Sequence, residues 1–332
     1  MTNLAYTDDV AASTAPIWDI LKDQYEEAYW KSLAPYIHEI NRLKKEKNAV
    51  ILAHNYMTPD IFHGVADIVG DSLALAREAA KTEADIIVQC GVHFMAETSK
   101  ILCMDKKVLM PDMKAGCSLS ESITAADVKL LREKYPGVPI IPYVNTSAEV
   151  KAESDVCCTS GNAVKIVNAL DADEVLMIPD QYLAKYVQTK TDKKVHYWQG
   201  SCMVHERFTP EDIAVFRAKY PGVQVLAHPE CPPEVLAASD YTGSTQQMIE
   251  YVEGEKPSRV VLITECSMSD NVAAAHPEME LIRPCQMCPH MKRITLPKIL
   301  EALQNEEPEV LVDPEIASRA RVAVDKMLEL SK

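Results

Sequence analysis

The sequence predicts an α/β fold of three homologous small α/β/α domains, with parallel sheets set around a pseudo-threefold axis and the active site at the centre. Three observations point there. Short aliphatic and β-branched runs alternate with helix-like stretches, the pattern of parallel sheets covered on both faces. Three related segments follow one another, their shared aspartates Asp67, Asp155 and Asp240 lying 88 and 85 residues apart. One cysteine follows the last strand of each segment, Cys117, Cys202 and Cys288, at intervals of 85 and 86 residues.

The elements follow in order. Apolar residues recur at helical spacing from Ile17 to Lys47 (Ile20, Leu21, Tyr25, Tyr29, Leu33, Ile37, Ile40, Leu43), predicting one or two amphipathic helices. Residues 1–38 are therefore assigned to an N-terminal helical extension. The first repeat, residues 39–120, opens with VILAHNY (50–56) and ADIVGDSLALAREAA (66–80). The second, residues 121–205, has PIIPYVNT (139–146) and SDVCCTSGNAVKIVNAL (154–170) at the same points. The third, residues 206–307, has VQVLAHPEC (223–231) and SDYTGSTQQMIEYV (239–252). The connections EKYPGVPI (133–140) and AKYPGVQV (218–225) also match.

Each repeat closes with a strand, a helix and a last strand: ADIIVQCG (84–91) to KKVLMPD (106–112), DEVLMIPD (173–180) to KKVHYWQG (193–200), and SRVVLITE (258–265) to MELIRP (279–284). About four strands per repeat are expected. The stretch Asp313 to Leu330 reads as a closing helix, and residues 308–332 are expected to pack back on the first repeat.

Bulk properties exclude some functions. The 332 residues are 47% hydrophobic and 25% charged, ordinary for a globular protein, and the net charge of −15 argues against nucleic acid or an anionic membrane as partner. No apolar run approaches the roughly 18 residues that span a bilayer. The start is polar, with Asp8 and Asp9, and lacks the plan of a signal peptide. A cytoplasmic location is expected, where ten cysteines form no disulfide scaffold.

A single cysteine in such a chain is ordinarily a small buried apolar residue. Shared register sets Cys117, Cys202 and Cys288 apart, since the other seven have no counterparts in both other repeats. Three thiolates converging near an axis fit a [4Fe–4S] cluster with one open iron better than zinc, whose sites favour close C-x₂₋₄-C pairs. An open iron is a Lewis acid suited to dehydration chemistry.

Ser72, Ser160 and Thr245 stand five residues after the aligned aspartates, each opening a helix-like stretch, and are expected N-caps. Three helix N-termini at one cavity would attract phosphate or carboxylate. At the ends of the first strands stand His54 with Tyr56, Tyr143 with Asn145, and His228 with Glu230, groups suited to proton transfer. His205 follows Cys202 by three residues. Taken singly, a strand-end histidine is more often structural and a turn serine a plain cap.

Nine ordered motifs then carry a resemblance: LAHNY (52–56), GDSLALAR (70–77), GVHFMAE (91–97), YVNTSAE (143–149), CTSGNAV (158–164), GSCMVH (200–205), HPEC (228–231), GSTQQM (243–248) and CPHMKR (288–293). From Ile40 onward the chain closely resembles the A-type, iron–sulfur-dependent quinolinate synthase family; the first 35 or so residues carry none of it. The resemblance implies a transferase of NAD biosynthesis that condenses iminoaspartate with dihydroxyacetone phosphate to quinolinate, losing phosphate and water. It implies one [4Fe–4S] cluster on Cys117, Cys202 and Cys288. It also implies substrate binding by His54, Ser72, Tyr143, Asn145, Ser160, His205, His228, Glu230 and Thr245, with catalysis by Tyr56, Glu230 and His228. The enzyme that supplies iminoaspartate is an implied partner.

Three other readings stay open: another cluster-dependent hydro-lyase, a cluster-based redox sensor, and a structural zinc protein using Cys285 and Cys288. Between those two cysteines, repeat register and the CPHMK context favour Cys288 as the cluster ligand.

Overall fold

A computed structural model describes residues 4–284 and 286–332. Two helices precede the body, α1 (Asp8–Leu21) and α2 (Glu27–Glu46). The first starts well before Ile17 and runs through Pro16. Its opening turn is polar, so apolar periodicity misses it, but Thr7 caps it by accepting from the Val10 N–H, and Asp8 and Asp9 suit its positive end. Trp18 stacks on Trp30 at 5.4 Å and pins the two helices together.

The first unit contains β1 (Ala49–His54), α3 (Pro59–Phe62), β2 (Ile68–Gly70), α4 (Ser72–Ala79), β3 (Ile86–Cys90), α5 (His93–Leu102) and β4 (Lys107–Leu109). The second contains α6 (Ala125–Lys134), β5 (Ile140–Pro142), α7 (Ala148–Ala152), α8 (Ala163–Ala169), β6 (Glu174–Ile178), α9 (Gln181–Gln188) and β7 (Lys194–Tyr197). The third contains α10 (Pro210–Lys219), β8 (Gln224–Ala227), α11 (Pro233–Ala238), β9 (Tyr241–Thr242), α12 (Thr245–Glu255), β10 (Arg259–Ile263), α13 (Cys266–Ala275) and β11 (Glu280–Ile282). Helices α14 (Leu296–Asn305) and α15 (Pro314–Leu330) follow.

The fold is α/β, as expected: three sheets of order β2-β1-β3-β4, β5-β6-β7 and β9-β8-β10-β11, every named pair parallel. The second sheet has three strands where four were expected. At the place of β2 and β9 it has a single parallel bridge, Tyr143 to Cys158. The Cys157 N–H is taken by the Ala323 carbonyl of α15, so the backbone there does not extend into a ladder.

The aligned aspartates explain the repeat. Asp67, Asp155 and Asp240 accept the N–H of Ile51, Ile140 and Val225 at 2.8, 2.7 and 2.7 Å, and their own N–H groups donate back to the same residues' carbonyls. Each aspartate also faces a cation, Lys44, Arg132 or Arg217. Three residues before each locked strand residue the chain turns left-handed, at Asn48 (φ 48), Gly137 (φ 78) and Gly222 (φ 80). The last two are the glycines of the matched YPGV connections, and in the first repeat Asn48 takes that conformation instead.

One large core joins the first unit, α2, α14, α15 and the inward faces of the other two sheets. Two smaller cores fill the outer faces, Ile123, Val128, Ile140, Val150, Leu176 and Ile178 in the second unit, and Val225, Ala227, Val235, Val261 and Ile263 among others in the third. Residues 308–310 run antiparallel beside β4, with Met110 N–H on Pro308 O and Val310 N–H on Val108 O. α15 then lies across α7 and α8 as well as α5, bridging the first and second units. Among the described residues no helix is long and apolar enough to cross a membrane.

Asp155→Ala strands the Ile140 N–H inside the sheet and should cost about 1–3 kcal/mol. The exposed Arg132 partner adds little, since surface ion pairs are worth about 0–1 kcal/mol. A urea-unfolding midpoint unchanged from wild type would show that the lock stabilises nothing.

Candidate functional site

The C-terminal ends of the three sheets meet at one cavity of about 70 Å³. Parallel sheets place sites at this end because strand-to-helix loops and helix N-termini collect there. All thirteen predicted site residues line it: His54, Tyr56, Ser72, Cys117, Tyr143, Asn145, Ser160, Cys202, His205, His228, Glu230, Thr245 and Cys288.

The three cysteines sit on loops of one design. The carbonyls of Cys117, Cys202 and Cys288 accept from the N–H of Glu121, Glu206 and Lys292 at 3.0, 3.0 and 3.2 Å. A short 3₁₀ turn follows each (Ser120–Ser122, His205–Arg207, Met291–Arg293), and then a threonine (Thr124, Thr209, Thr295) that is the N-cap of α6, α10 or α14. This shared turn places Cys288 in register with the other two. Cys285 lies outside the described residues. Burial pushes the Cys117 thiol up to about 12 and raises Cys202 and Cys288 as well. A metal taking these sulfurs must therefore displace protons. Three half-buried thiols around one cavity are a donor set that fits an iron–sulfur cluster. Cys202, His205 and Glu230 form a second set, their donor atoms within 4.8 Å of one another. Cys90, Cys103, Cys157, Cys158 and Cys231 are buried as ordinary small residues.

Beside the thiols lies a hydrogen-bonded chain drawn from all three units. Tyr143 donates to Glu230 at 2.6 Å, and His205 Nδ1 faces the other Glu230 oxygen at 2.8 Å and Cys202 Sγ at 3.1 Å. His205 Nε2 meets Thr264 Oγ1 at 2.9 Å and Tyr56 Oη at 3.4 Å, and Tyr56 and Thr264 join at 2.6 Å. Burial raises the Glu230 carboxyl, but the hydrogen bonds from His205 and Tyr143 outweigh it and hold Glu230 well below the usual range. It is a carboxylate, so His205 donates to it from Nδ1, which leaves Nε2 as the nitrogen facing Thr264 and Tyr56. Burial, with Glu230 nearby, holds the Tyr56 and Tyr143 hydroxyls well above the ordinary tyrosine value.

His54 and His228 are a matched pair. The N–H two residues on, of Tyr56 or Glu230, donates to each Nδ1 at 3.1 and 3.4 Å. Burial pushes His54 down to about 4 and His228 to about 3, so both rings are neutral near pH 7. With Nδ1 accepting, each carries its proton on Nε2 and offers a donor there.

The helix starts differ from the expectation. The caps are Asp71, Asn162 and Ser244, not Ser72, Ser160 and Thr245. Asp71 accepts from the Leu73 and Ala74 N–H groups, and Ser244 makes a capping box with Gln247. Because the preceding residue does the capping, Ser72 and Thr245 fall at the first helical position and reach the cavity; Ser160 lies two residues before its cap. The starts of α4 and α12 touch through Ser244 on Asp71 at 3.3 Å, and Asn55 donates to Thr245 Oγ1 at 2.9 Å. Asn145 Oδ1 is buried without a protein partner, an acceptor left for a ligand.

Sequence reasoning missed Thr264, the hinge between Tyr56 and His205. It ends the run VVLIT, and a polar residue closing an apolar strand at the ligand end of a sheet was the available signal.

Comparison with known proteins adds a separate line. The profile of the family described as "Quinolinate synthetase A protein" matches residues 38–329. The chain is 58% identical over 330 residues to the quinolinate synthase of Sinorhizobium fredii, covering 99% of this chain and 92% of that protein. It is 59% identical over 329 residues to that of Caulobacter vibrioides (98% and 90% covered) and 61% over 294 residues to that of Xylella fastidiosa (89% and 87%). The two longer matches reach into α1, so the N-terminal helices, left out of the resemblance above, are shared with relatives.

The buried neutral histidines set a pH dependence. The folded chain binds fewer protons than the unfolded one, since His54 and His228 lie below the ordinary value of about 6.5. Their contribution is complete above about pH 6.5 and is lost as pH falls through the folded values near 4 and 3. The urea midpoint of the cluster-free protein should fall between about pH 6.5 and 4, and His54→Asn should flatten that fall. The same slope in the variant would show that His54 is charged when folded.

Proposed function

Because the chain belongs to the quinolinate synthase family, we propose that it condenses iminoaspartate with dihydroxyacetone phosphate to give quinolinate, phosphate and two waters, a transferase step of NAD biosynthesis in the cytoplasm. The observation that carries the reading is the meeting, in one cavity, of three cysteines in identical turns with a proton-transfer chain from three units. Cys117, Cys202 and Cys288 would hold a [4Fe–4S] cluster. When bound, it supplies an open iron, a Lewis acid for a substrate oxygen on its way to leaving as water.

The remaining work falls to the chain's own groups. Both substrates are anionic. The amide ends of α4 and α12, the hydroxyls of Ser72, Ser160 and Thr245, and the Nε2–H groups of His54 and His228 supply donors for phosphate and carboxylates, and Asn145 Oδ1 supplies an acceptor for a substrate N–H or O–H. Closing the pyridine ring requires protons to leave carbon and nitrogen and to reach departing hydroxyls. Glu230 fixes the His205 tautomer, so His205 Nε2 is the acceptor that takes a proton passed through Tyr56 or Thr264. Tyr143 holds the other Glu230 oxygen and keeps the carboxylate aimed. The buried site keeps water from competing in steps that expel it.

A redox sensor has no use for this donor array. Anaerobic reconstitution with iron and sulfide, followed by assay for quinolinate from the two substrates, decides the reading; a loaded cluster with no quinolinate formed would overturn it.

Two variant sets extend the test. Glu230→Gln should keep the cluster spectrum and lower turnover roughly 10²-fold or more; near-normal turnover removes Glu230 from the mechanism. Cys288→Ser should abolish cluster and activity, while Cys285→Ser retains both. The opposite pattern in iron content would move the third ligand to Cys285.

A further inference from the structure

The pseudo-threefold pattern of the cysteine loops reverses in charge at one position. Four residues after each cysteine stand Glu121, Glu206 and Lys292. Glu206 folds onto its own loop, accepting from Ser201 at 2.5 Å. Lys292 instead reaches inward: its Nζ meets Glu265 Oε1 at 2.9 Å, Ser267 Oγ at 2.6 Å and the Tyr56 carbonyl at 2.8 Å. Glu265, fully buried at the start of α13, also accepts the N–H of Ser267 at 2.8 Å and that of Cys288 itself at 3.3 Å.

The first two cysteine loops are joined to each other directly. Ser118 Oγ donates to the Ser201 carbonyl at 3.2 Å and accepts the Met203 N–H at 3.1 Å. The third loop is tied by the ion pair to α13 and, through the Tyr56 carbonyl, to the loop of the first unit that carries His54 and Tyr56.

We infer that Lys292 and Glu265 are positioning residues, a buried clamp that holds the Cys288 loop at the axis and fixes it to the loop bearing Tyr56. The inference rests on the proposal that Cys117, Cys202 and Cys288 hold the cluster. A metal site needs its sulfurs preset to within tenths of an ångström, and groups one bond removed from the ligands do the presetting. A buried pair adds little net stability, whereas removing one partner leaves an uncompensated charge. Its value here lies in geometry.

The test uses the folded, cluster-free protein, so it does not depend on quinolinate formation. Wild type, Lys292→Met and Lys292→Arg are treated with iodoacetamide, and alkylation of Cys117, Cys202 and Cys288 is followed by peptide mass spectrometry. Cys288 should react at least tenfold faster in Lys292→Met, with Cys117 and Cys202 within twofold of wild type and Lys292→Arg close to wild type. Loss of a neighbouring cation by itself disfavours the thiolate and slows reaction, so a rise reports a released loop. After reconstitution, Lys292→Met should also lose iron to a chelator faster than wild type. If Lys292→Met does not fold, Glu265→Gln, which keeps one oxygen for the Ser267 N–H but removes the charge facing Lys292 and the acceptor of the Cys288 N–H, is run the same way and should release Cys288 alone. Unchanged rates, or an equal rise at all three cysteines, overturn the inference.

Discussion

Three parallel sheets must turn the same end toward the same point, and that constraint organises everything else in the molecule. It is met by one local device used three times, the aspartate that clasps the backbone N–H of the first strand. The clasp sets where the strand begins relative to the loop returning to its sheet. Because each strand runs only two or three residues past the clasped one (Ile51 to His54, Ile140 to Pro142, Val225 to Ala227), it also sets where each strand ends. The cysteine loops then inherit the same geometry, down to the turn and the capping threonine.

Burial governs the chemistry of the hub. Taking His54 and His228 out of water keeps them neutral, and the backbone chooses their tautomer by donating to Nδ1. The same burial would make Glu230 a poor carboxylate, but hydrogen bonds from His205 and the Tyr143 hydroxyl hold it ionised. Pairs of groups driven apart in this way are how one small cavity carries both donors and acceptors of protons. The net charge of −15 does not conflict with the anionic substrates proposed above, because helix ends and ring N–H groups act at a few ångströms, inside the range where bulk charge is screened.

Helices outside the repeats tie the units together. α2 and α14 pack on each other, α15 bridges the first and second units, and Gln24, just past α1, donates to the Asp270 carbonyl of α13. The repeats therefore do not rest on one another only at the cavity, where polar groups offer weak adhesion.

Much of this was legible in the sequence. The α/β class, the threefold repeat and the register of the three cysteines follow from periodicity, because each repeat obeys the same local rules and leaves the same marks at the same spacing; His205 and the binding set came from the family resemblance. Tertiary structure decided the rest. Asp71 and Ser244, rather than their neighbours, cap their helices, since which residue stops being strand-like depends on the loop's path between sheet and helix. The second sheet lost a strand because Ala323, far along the chain, takes a backbone donor. Thr264, between Tyr56 and His205, and Lys292, on the Tyr56 carbonyl, join residues from different units. No periodicity records such contacts: their partners lie up to 236 residues apart, and only the folded chain brings a lysine amine and a distant carbonyl within a hydrogen bond's reach.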